Sequence, residues 1–581
     1  MKNHQTNFTR RKPISPMAPL QDLRELLYRA LALYGSQTVL RETRGGEIVQ
    51  YSCEDIVDDI NALGTALMDY GFADAHIALV GENSYLWFIT YMAVVCGVGV
   101  IVPLDKELPD EDLKNLALKG DASALFYTGS YHGAARMLEN AGVRGFSLEP
   151  LPGVDEADTL NGLIQYGKEL LSRGDRRYLD RQIDREKVTV ILFTSGTTGP
   201  NKGVMLSHKN ICTNIENIVR IAPCEPESLS MLPFHHTIEL NCHILPGILK
   251  GINIYICATL KGLLDTFKAV KPGMSIVVPL FLETVYKTIW AETKRQGRDR
   301  DLRAAIKISN LLLAVGIDIR DILFKQLKES LGGNFKRVMC GGAAIDPEIL
   351  RGLYSLGIDV VTAYGLTECS PAVSVNLKAH RHPEAVGKPL KSIQVKIDQP
   401  DQNGVGEICV KGENVMLGYY KDAAATAATF DGEWLRTGDY GKLRGREITV
   451  VGRKKNLIVL NNGKNVHPEE IEAKIIQQMP YVRDAVVYSY QYQVKGMLMQ
   501  TIAAALKIEA ENYFESMDHK TIEKLVAEDL RRVNKLLPGY KQMHQLFITQ
   551  EDFLRTTTKK VIRHKVVEEQ NKFSYGEGIP I

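Results

Sequence analysis

Apolar side chains recur at three- and four-residue intervals through residues 20–31 and again through 56–68, the spacing of an amphipathic helix. Short aliphatic runs at 77–80, 101–104 and 124–127 read as strands, with helical stretches at 86–95 and 111–118 between them. Strand and helix in alternation predict parallel sheets covered by helices. Residues 145–185 are polar and irregular and read as connecting structure. A β-branched run, Val188-Thr-Val-Ile-Leu-Phe193, resumes the strand pattern and is followed by helical spacing from His208. Helices at 262–270 and 280–291 flank a strand at 275–279. The stripe Phe281, Leu282, Val285, Ile289 and Trp290 has the spacing of ordinary core. Residues 404–420 alternate with glycine turns, which predicts a small β-rich subdomain. The remainder gives helix 468–478, strands 485–490 and 499–506, helix 522–536 and strand 545–549, a compact α+β unit.

With 581 residues the chain exceeds one compact core, so two or more domains are expected. The balance of 71 basic against 69 acidic residues gives no reason to expect a nucleic-acid partner. Nine scattered cysteines contain no C-x-x-C pair, so neither a zinc site nor a disulfide framework is indicated, and a reducing cytoplasmic setting fits best. The first thirteen residues are basic without a following apolar core, unlike a secretory signal; contact of this tail with an anionic lipid surface is a secondary expectation. Residues 83–104 carry no charge and have the length of a membrane span, but Gly97, Gly99 and Pro103 interrupt them. A helix followed by a buried strand over 98–102 is the better reading, and no transmembrane helix is expected.

The chemistry concentrates first in residues 194–207, Thr-Ser-Gly-Thr-Thr-Gly-Pro-Asn-Lys-Gly-Val-Met-Leu-Ser. Glycines let backbone N–H groups approach a phosphate, threonine and serine hydroxyls add donors, and Lys202 adds a mobile positive charge. The natural ligand is a nucleoside triphosphate. The spacing is not that of the P-loop, because Asn201 stands at the second glycine position and Gly203 follows the lysine. Farther on, adjacent His235 and His236 follow a Leu-Pro-Phe segment; both lining a cleft and ordinary packing fit them, and neighbouring histidines point apart, which argues against a two-histidine metal site. Bare backbone at Gly341, Gly342 and Ala343 can lie against a flat ring. Tyr364-Gly-Leu-Thr-Glu368 offers a ring for stacking, a hydroxyl for phosphate and a hard carboxylate oxygen of the kind Mg²⁺ takes. Asp439, in a Thr-Gly-Asp turn, is either an Asx turn or an acceptor for two adjacent hydroxyls. Lys559 and Lys560 near the end read, on their own, as solvated lysines.

Set in order, residues 194–203, 231–239, 341–343, 364–368, 433–441, 451–458 and 554–563 resemble the motifs of the adenylate-forming superfamily: acyl-CoA synthetases, nonribosomal adenylation domains and luciferase. Glu239 after the histidines is closer to long-chain acyl-CoA synthetases than to amino-acid adenylation domains. Three positions depart from the pattern: Asn201 replaces a proline, Asn456 a frequent aspartate and Lys559 a glycine.

The resemblance implies an α/β fold: a large N-terminal domain of parallel-rich sheets covered by helices plus a small β-rich subdomain (1–452), a hinge (453–455, with Lys455 its pivot) and a small, mobile α+β C-terminal domain (456–581) carrying the catalytic lysine. It assigns ATP or AMP contacts to Thr194, Ser195, Gly196, Thr197, Thr198, Lys202, Gly342, Ala343, Tyr364, Gly365, Thr367, Asp439 and Arg453. Mg²⁺ goes to Glu368, and catalytic roles to His236 beside the acyl carboxylate and to Lys560. Part of the 281–290 stripe would border an acyl tunnel. The implied activity is ATP-dependent activation of a medium- or long-chain fatty acid through acyl-AMP, then transfer to CoA. An acyl carrier protein as acceptor, or a non-catalytic adenylate-binding regulator on the same fold, are the alternatives.

Overall fold

Aliphatic runs too short for helices become strands here, and the amphipathic segments between them cover both faces. The computed structural model describes residues 18–581 except 195–200, 223, 260, 461–463, 495–496, 515–516, 557–559 and 571–577. The expectations for the basic N-terminal tail, for Ser195, Gly196, Thr197 and Thr198, and for Lys559 therefore lie outside the described residues.

Among the described residues, two large sheets form the N-terminal part. One has seven strands in the spatial order 418–419, 202–207, 188–194, 100–103, 76–80, 122–127 and 144–147. The other has nine, ordered 388–389, 372–376, 359–365, 337–341, 274–277, 227–230, 253–256, 38–44 and 47–52. Most neighbours within each run parallel, as the alternating pattern predicts. Such strands are buried on both faces, which is why 77–80 and 101–104 are unbroken aliphatics. A five-stranded antiparallel sheet over 394–453 forms the small β-rich unit. The C-terminal part packs a four-stranded sheet, 482–494, 497–508, 545–549 and 579–580, against the helices Pro468–Gln478 and His519–Lys535 around its own hydrophobic core.

Three expectations need correction. Residues 145–185 are not irregular: they contain the strand Arg144–Ser147 and the helix Leu160–Ser172. That helix buries Leu160, Leu163, Ile164 and Gly167 and lies so close to the helix Cys53–Asp69 that a Cβ at Gly167 would sit 1.9 Å from the Ala62 carbonyl oxygen. Its glycines and polar residues hid an ordinary 3.6-residue period. Second, residues 98–102 do not all form strand. The helix Tyr85–Ala93 runs into a π-turn, Val94–Val98, in which Gly97 has φ 152°, and the strand begins only at Val100. The Arg24 side chain fills the space beside Gly97, where a Cβ would meet its guanidinium at 2.4 Å. Third, the 281–290 stripe is not plain core. It belongs to the helix Pro279–Arg295, in which only Pro279 and Leu282 are buried. The uncharged stretch 83–104 is internal, and among the described residues no helix is long and apolar enough to cross a membrane.

Candidate active site

The strand Val188–Thr194 pairs antiparallel with Lys202–Ser207, in a register that sets Thr194 opposite Lys202. The helix His208–Ile221 follows the second of these strands directly, capped by the Ser207 hydroxyl. Gly418–Tyr419 adds an edge strand beside Lys202–Ser207. This brings the Tyr419 ring 4.8 Å from the Lys202 ammonium. The Tyr419 hydroxyl donates to Glu368 Oε1 at 3.0 Å. Burial, and Glu368 beside it, hold that phenol firmly protonated. Lys202, Tyr419 and Glu368 therefore form one continuous group drawn from three distant segments.

Glu368 stands in a short turn, Thr367–Cys369, beyond the strand Asp359–Gly365. Gly365 is required there, because a Cβ would come within 2.0 Å of the Pro371 carbonyl oxygen. Among the described residues no cluster of three or more His, Cys, Asp or Glu side chains is arranged to hold a metal. A lone carboxylate still suits Mg²⁺, which commonly takes one or two protein carboxylates and completes its shell with phosphate oxygens and water.

Asp439 occupies the middle of the strand Trp434–Arg444, directly opposite Arg453 on the neighbouring strand. Arg453 Nε lies 2.8 Å from its Oδ1, and the Tyr364 hydroxyl donates to its Oδ2 at 2.8 Å. Of the two readings open for Asp439, the Asx turn is not what forms: its carboxylate partners are side chains. Only 3% of Asp439 is exposed. Desolvation pushes its pKa up, against the opposing pull of Arg453 and Tyr364. Tyr364 itself is buried.

Lys560 comes to this cluster from the C-terminal part of the chain. Arg555 and Val561 form an isolated antiparallel bridge, and the Thr556 N–H donates to the Lys560 carbonyl at 2.8 Å, which fixes the backbone at Lys560. It keeps an exposed surface, yet the protein around its ammonium desolvates it; with Arg453 opposing and Asp439 favouring the charge, the net pKa is lowered. Lys455 lies in the short turn Lys454–Asn456. Desolvation first, then Arg453, lower its pKa to about 8. Its neighbour Lys454 forms an ion pair with Glu407 at 2.6 Å.

His236 caps the three-residue helix Thr237–Glu239. Burial holds its imidazole neutral, with a pKa near 4; Asp105 pulls the value up and the charge of Lys560 pushes it down. His236 and Lys560 are thus electrostatic neighbours. The His235 ring lies beside it, tilted by 45° with centroids 4.3 Å apart. Gly342, with φ 90°, follows the strand Arg337–Gly341, and a Cβ there would meet Ile238 Cδ1 at 3.9 Å, so Gly342 and Ala343 border the same region as the histidine segment. Glu239 faces inward instead: fully buried, it contacts His243 Nδ1 at 2.7 Å, and the same imidazole reaches the Ser228 hydroxyl.

A family model for AMP-binding enzymes matches residues 27–420, and one for the AMP-binding enzyme C-terminal domain matches 455–572. The chain belongs to the AMP-binding enzyme family. Family relatives include long-chain-fatty-acid–CoA ligase 5 of Rattus norvegicus, 28% identical over 580 residues that cover 91% of this chain and 84% of the relative. Ligase 1 of Homo sapiens is also 28% identical, covering 83% of this chain and 75% of its own. Among solved AMP-binding folds, o-succinylbenzoate CoA synthetase of Bacillus subtilis, in complex with an acyl-adenylate, superposes with TM-score 0.70 at 18% identity, covering 93% of this chain and 97% of that one. The A domain of carboxylic acid reductase from Segniliparus rugosus, in complex with AMP and a carboxylic acid, reaches 0.75 at 20% identity, covering 95% and 94%. These two establish the fold.

Three contributors went unrecognised in the sequence. Tyr419 joins Lys202 to Glu368, and nothing in the Gly-Tyr-Tyr string distinguishes it from a strand residue. Arg436 and Lys454, with Glu368, Tyr419, Thr437 and Gly438, line an open cleft of about 240 Å³ beside the carboxylate. Their link to the site depends on the pairing of strands 406–411, 434–444 and 447–453, which no local spacing reports.

Proposed function

We propose that this AMP-binding enzyme is an ATP-dependent carboxylate–CoA ligase acting on medium- or long-chain fatty acids. In the first step a fatty-acid carboxylate oxygen attacks the α-phosphorus of ATP; the bond to the β-phosphate oxygen breaks, and pyrophosphate leaves. In the second, the CoA sulfur attacks the acyl carbonyl carbon, AMP departs and the thiol proton passes to solvent. No covalent enzyme intermediate is needed, so catalysis consists of positioning and of charge neutralisation.

The residue roles rest on side-chain chemistry and on the family's motifs. Thr194, Ser195, Gly196, Thr197, Thr198 and Lys202 grip the β- and γ-phosphates. Gly342, Ala343, Tyr364 and Gly365 bound the adenine, Thr367 contacts phosphate, and Asp439 with Arg453 holds the ribose. Glu368 would hold Mg²⁺, whose chemistry is neutralisation of phosphate charge. His236, kept neutral by burial, borders the acyl carboxylate without adding a second cation. Lys560 balances the negative charge where carboxylate meets α-phosphate. We further propose residues 1–452 as the adenylating domain and 456–581 as a mobile domain turning about 453–455 at Lys455, which withdraws Lys560 and admits CoA. The compartment proposed is the cytoplasm.

The convergence of Asp439, Arg453, His236 and Lys560 from four separated segments carries this reading. A regulator that only holds adenylate has no use for a desolvated lysine at the carboxylate end. The test is fatty-acid-dependent pyrophosphate release with and without CoA. Sustained release with CoA, and a stall after one turnover without it, supports the ligase. Turnover sustained by an acyl carrier protein but not by CoA changes the acceptor, and no release with any acid favours the regulator.

A further inference from the structure

The helix Asp299–Ala314 runs sixteen residues and buries only Ser309. By contrast, the fourteen-residue helix His208–Ile221 buries ten. Ile308, Leu311 and Val315 repeat at i, i+3 and i+7 and share one face, and Leu311 and Val315 are 71% and 70% exposed. Gly316 then reverses the chain at φ 86°, with the Ile317 N–H donating back to the Leu312 carbonyl at 2.9 Å. The returning residues include Ile317 and Ile322, the latter 81% exposed. Soluble surfaces scatter single apolar side chains; a helix face and its following turn presenting five large aliphatics together mark a docking surface.

Charge identifies the partner. Residues 287–330 hold ten lysines and arginines against six acids, leaving the rest of the chain slightly acidic. Among the described residues Lys294, Arg300, Arg303 and Lys307 have no carboxylate within ion-pair distance, and Arg303 lies 4.8 Å over the Trp290 ring. Aliphatics beside cations that lack a carboxylate partner match a bilayer with anionic headgroups: the side chains enter the acyl boundary while lysine and arginine heads meet phosphate. A second copy fits less well, since an isologous contact would set the same unpaired cations against each other. The helix is too short to span a bilayer and would lie in its plane.

We infer that the face formed by the helix Asp299–Ala314 and the turn to Ile322 seats this protein on anionic membrane, at the phase where its fatty acid resides. The inference builds on the fatty-acid reading, but vesicle binding is measured without turnover, so either can fail alone. The test is flotation of the full chain with vesicles of phosphatidylcholine alone or mixed with phosphatidylglycerol. It is run for the native chain, for a variant lacking residues 1–17, and for the triple variant Leu311→Ser, Val315→Ser, Ile322→Ser. The native and shortened chains should bind the anionic vesicles and release them at high salt. The triple variant should bind about tenfold or more weakly, with unchanged kcat on a short, water-soluble acid. Equal binding by native and triple variant, loss of binding with residues 1–17, or a dimer that the triple substitution dissolves would each overturn the assignment.

Discussion

Asp439 is the residue on which the ribose end turns. Its buried carboxylate already has Arg453 on one oxygen and the Tyr364 hydroxyl on the other. Asp439→Asn keeps the shape and removes the charge, so kcat/KM for ATP should fall roughly tenfold or more, the scale of one hydrogen bond to a charged group. The same substitution removes an attraction that helps keep Lys560 protonated. Lysine activity requires the charged form and is lost as pH rises through its lowered pKa. The alkaline limb of the pH–rate profile should therefore begin at lower pH in Asp439→Asn than in the native enzyme; an unmoved limb would detach Lys560 from this carboxylate. Lys560→Ala should cost adenylation about 10²–10³-fold and leave thermal stability intact, while Lys559→Ala should leave the rate nearly unchanged. Exchanged phenotypes would shift the tail alignment by one position. At this scale residue type is enough to propose a role: a lysine, a carboxylate and a glycine pair suggest charge, metal affinity and bare backbone. What Asp439 would partner was not legible, since its partners lie 75 residues upstream and 14 downstream and meet only through strand pairing.

Among the elements, those with strong periods stood out and those punctuated by glycine did not. The strand Val188–Thr194 and the helix Pro468–Gln478 sit where their patterns put them. The helix Leu160–Ser172 was hidden because two of its positions are glycine, and at Gly167 the reason is contact: the helix packs backbone against backbone on Cys53–Asp69. Gly167→Leu has no room to enter and should destabilise the protein by about 3 kcal/mol, measured by chemical denaturation with the active site untouched. A variant as stable as the native chain would mean the two helices are not in this contact. The helix Pro279–Arg295 teaches the converse. Its apolar stripe has core spacing but lies half-exposed, because the helices packed on it, Asp299–Ala314 and Pro347–Ser355, cover it only in part. Periodicity reports which side chains share a face, and not what that face meets.

Across the whole molecule, the order of motifs leads to the expectation of two parts and a joint, and the C-terminal part has its own hydrophobic core. Our account has residues 456–581 turning about Lys455 between the two half-reactions. Lys455→Pro restrains the backbone there, so formation of acyl-AMP should persist while transfer to CoA slows about tenfold or more, an estimate based on conformational steps limiting turnover. Equal loss of both steps would point to a simple folding defect. The central claim, that Lys560 reaches across from the C-terminal part to neutralise charge as fatty acid meets ATP, is tested most directly by fatty-acid-dependent exchange of labelled pyrophosphate into ATP, compared between the native chain and Lys560→Ala. The account predicts brisk exchange in the native enzyme and near-abolition in the variant, with the variant still converting added acyl-AMP and CoA to acyl-CoA. Native-level exchange by Lys560→Ala would contradict it.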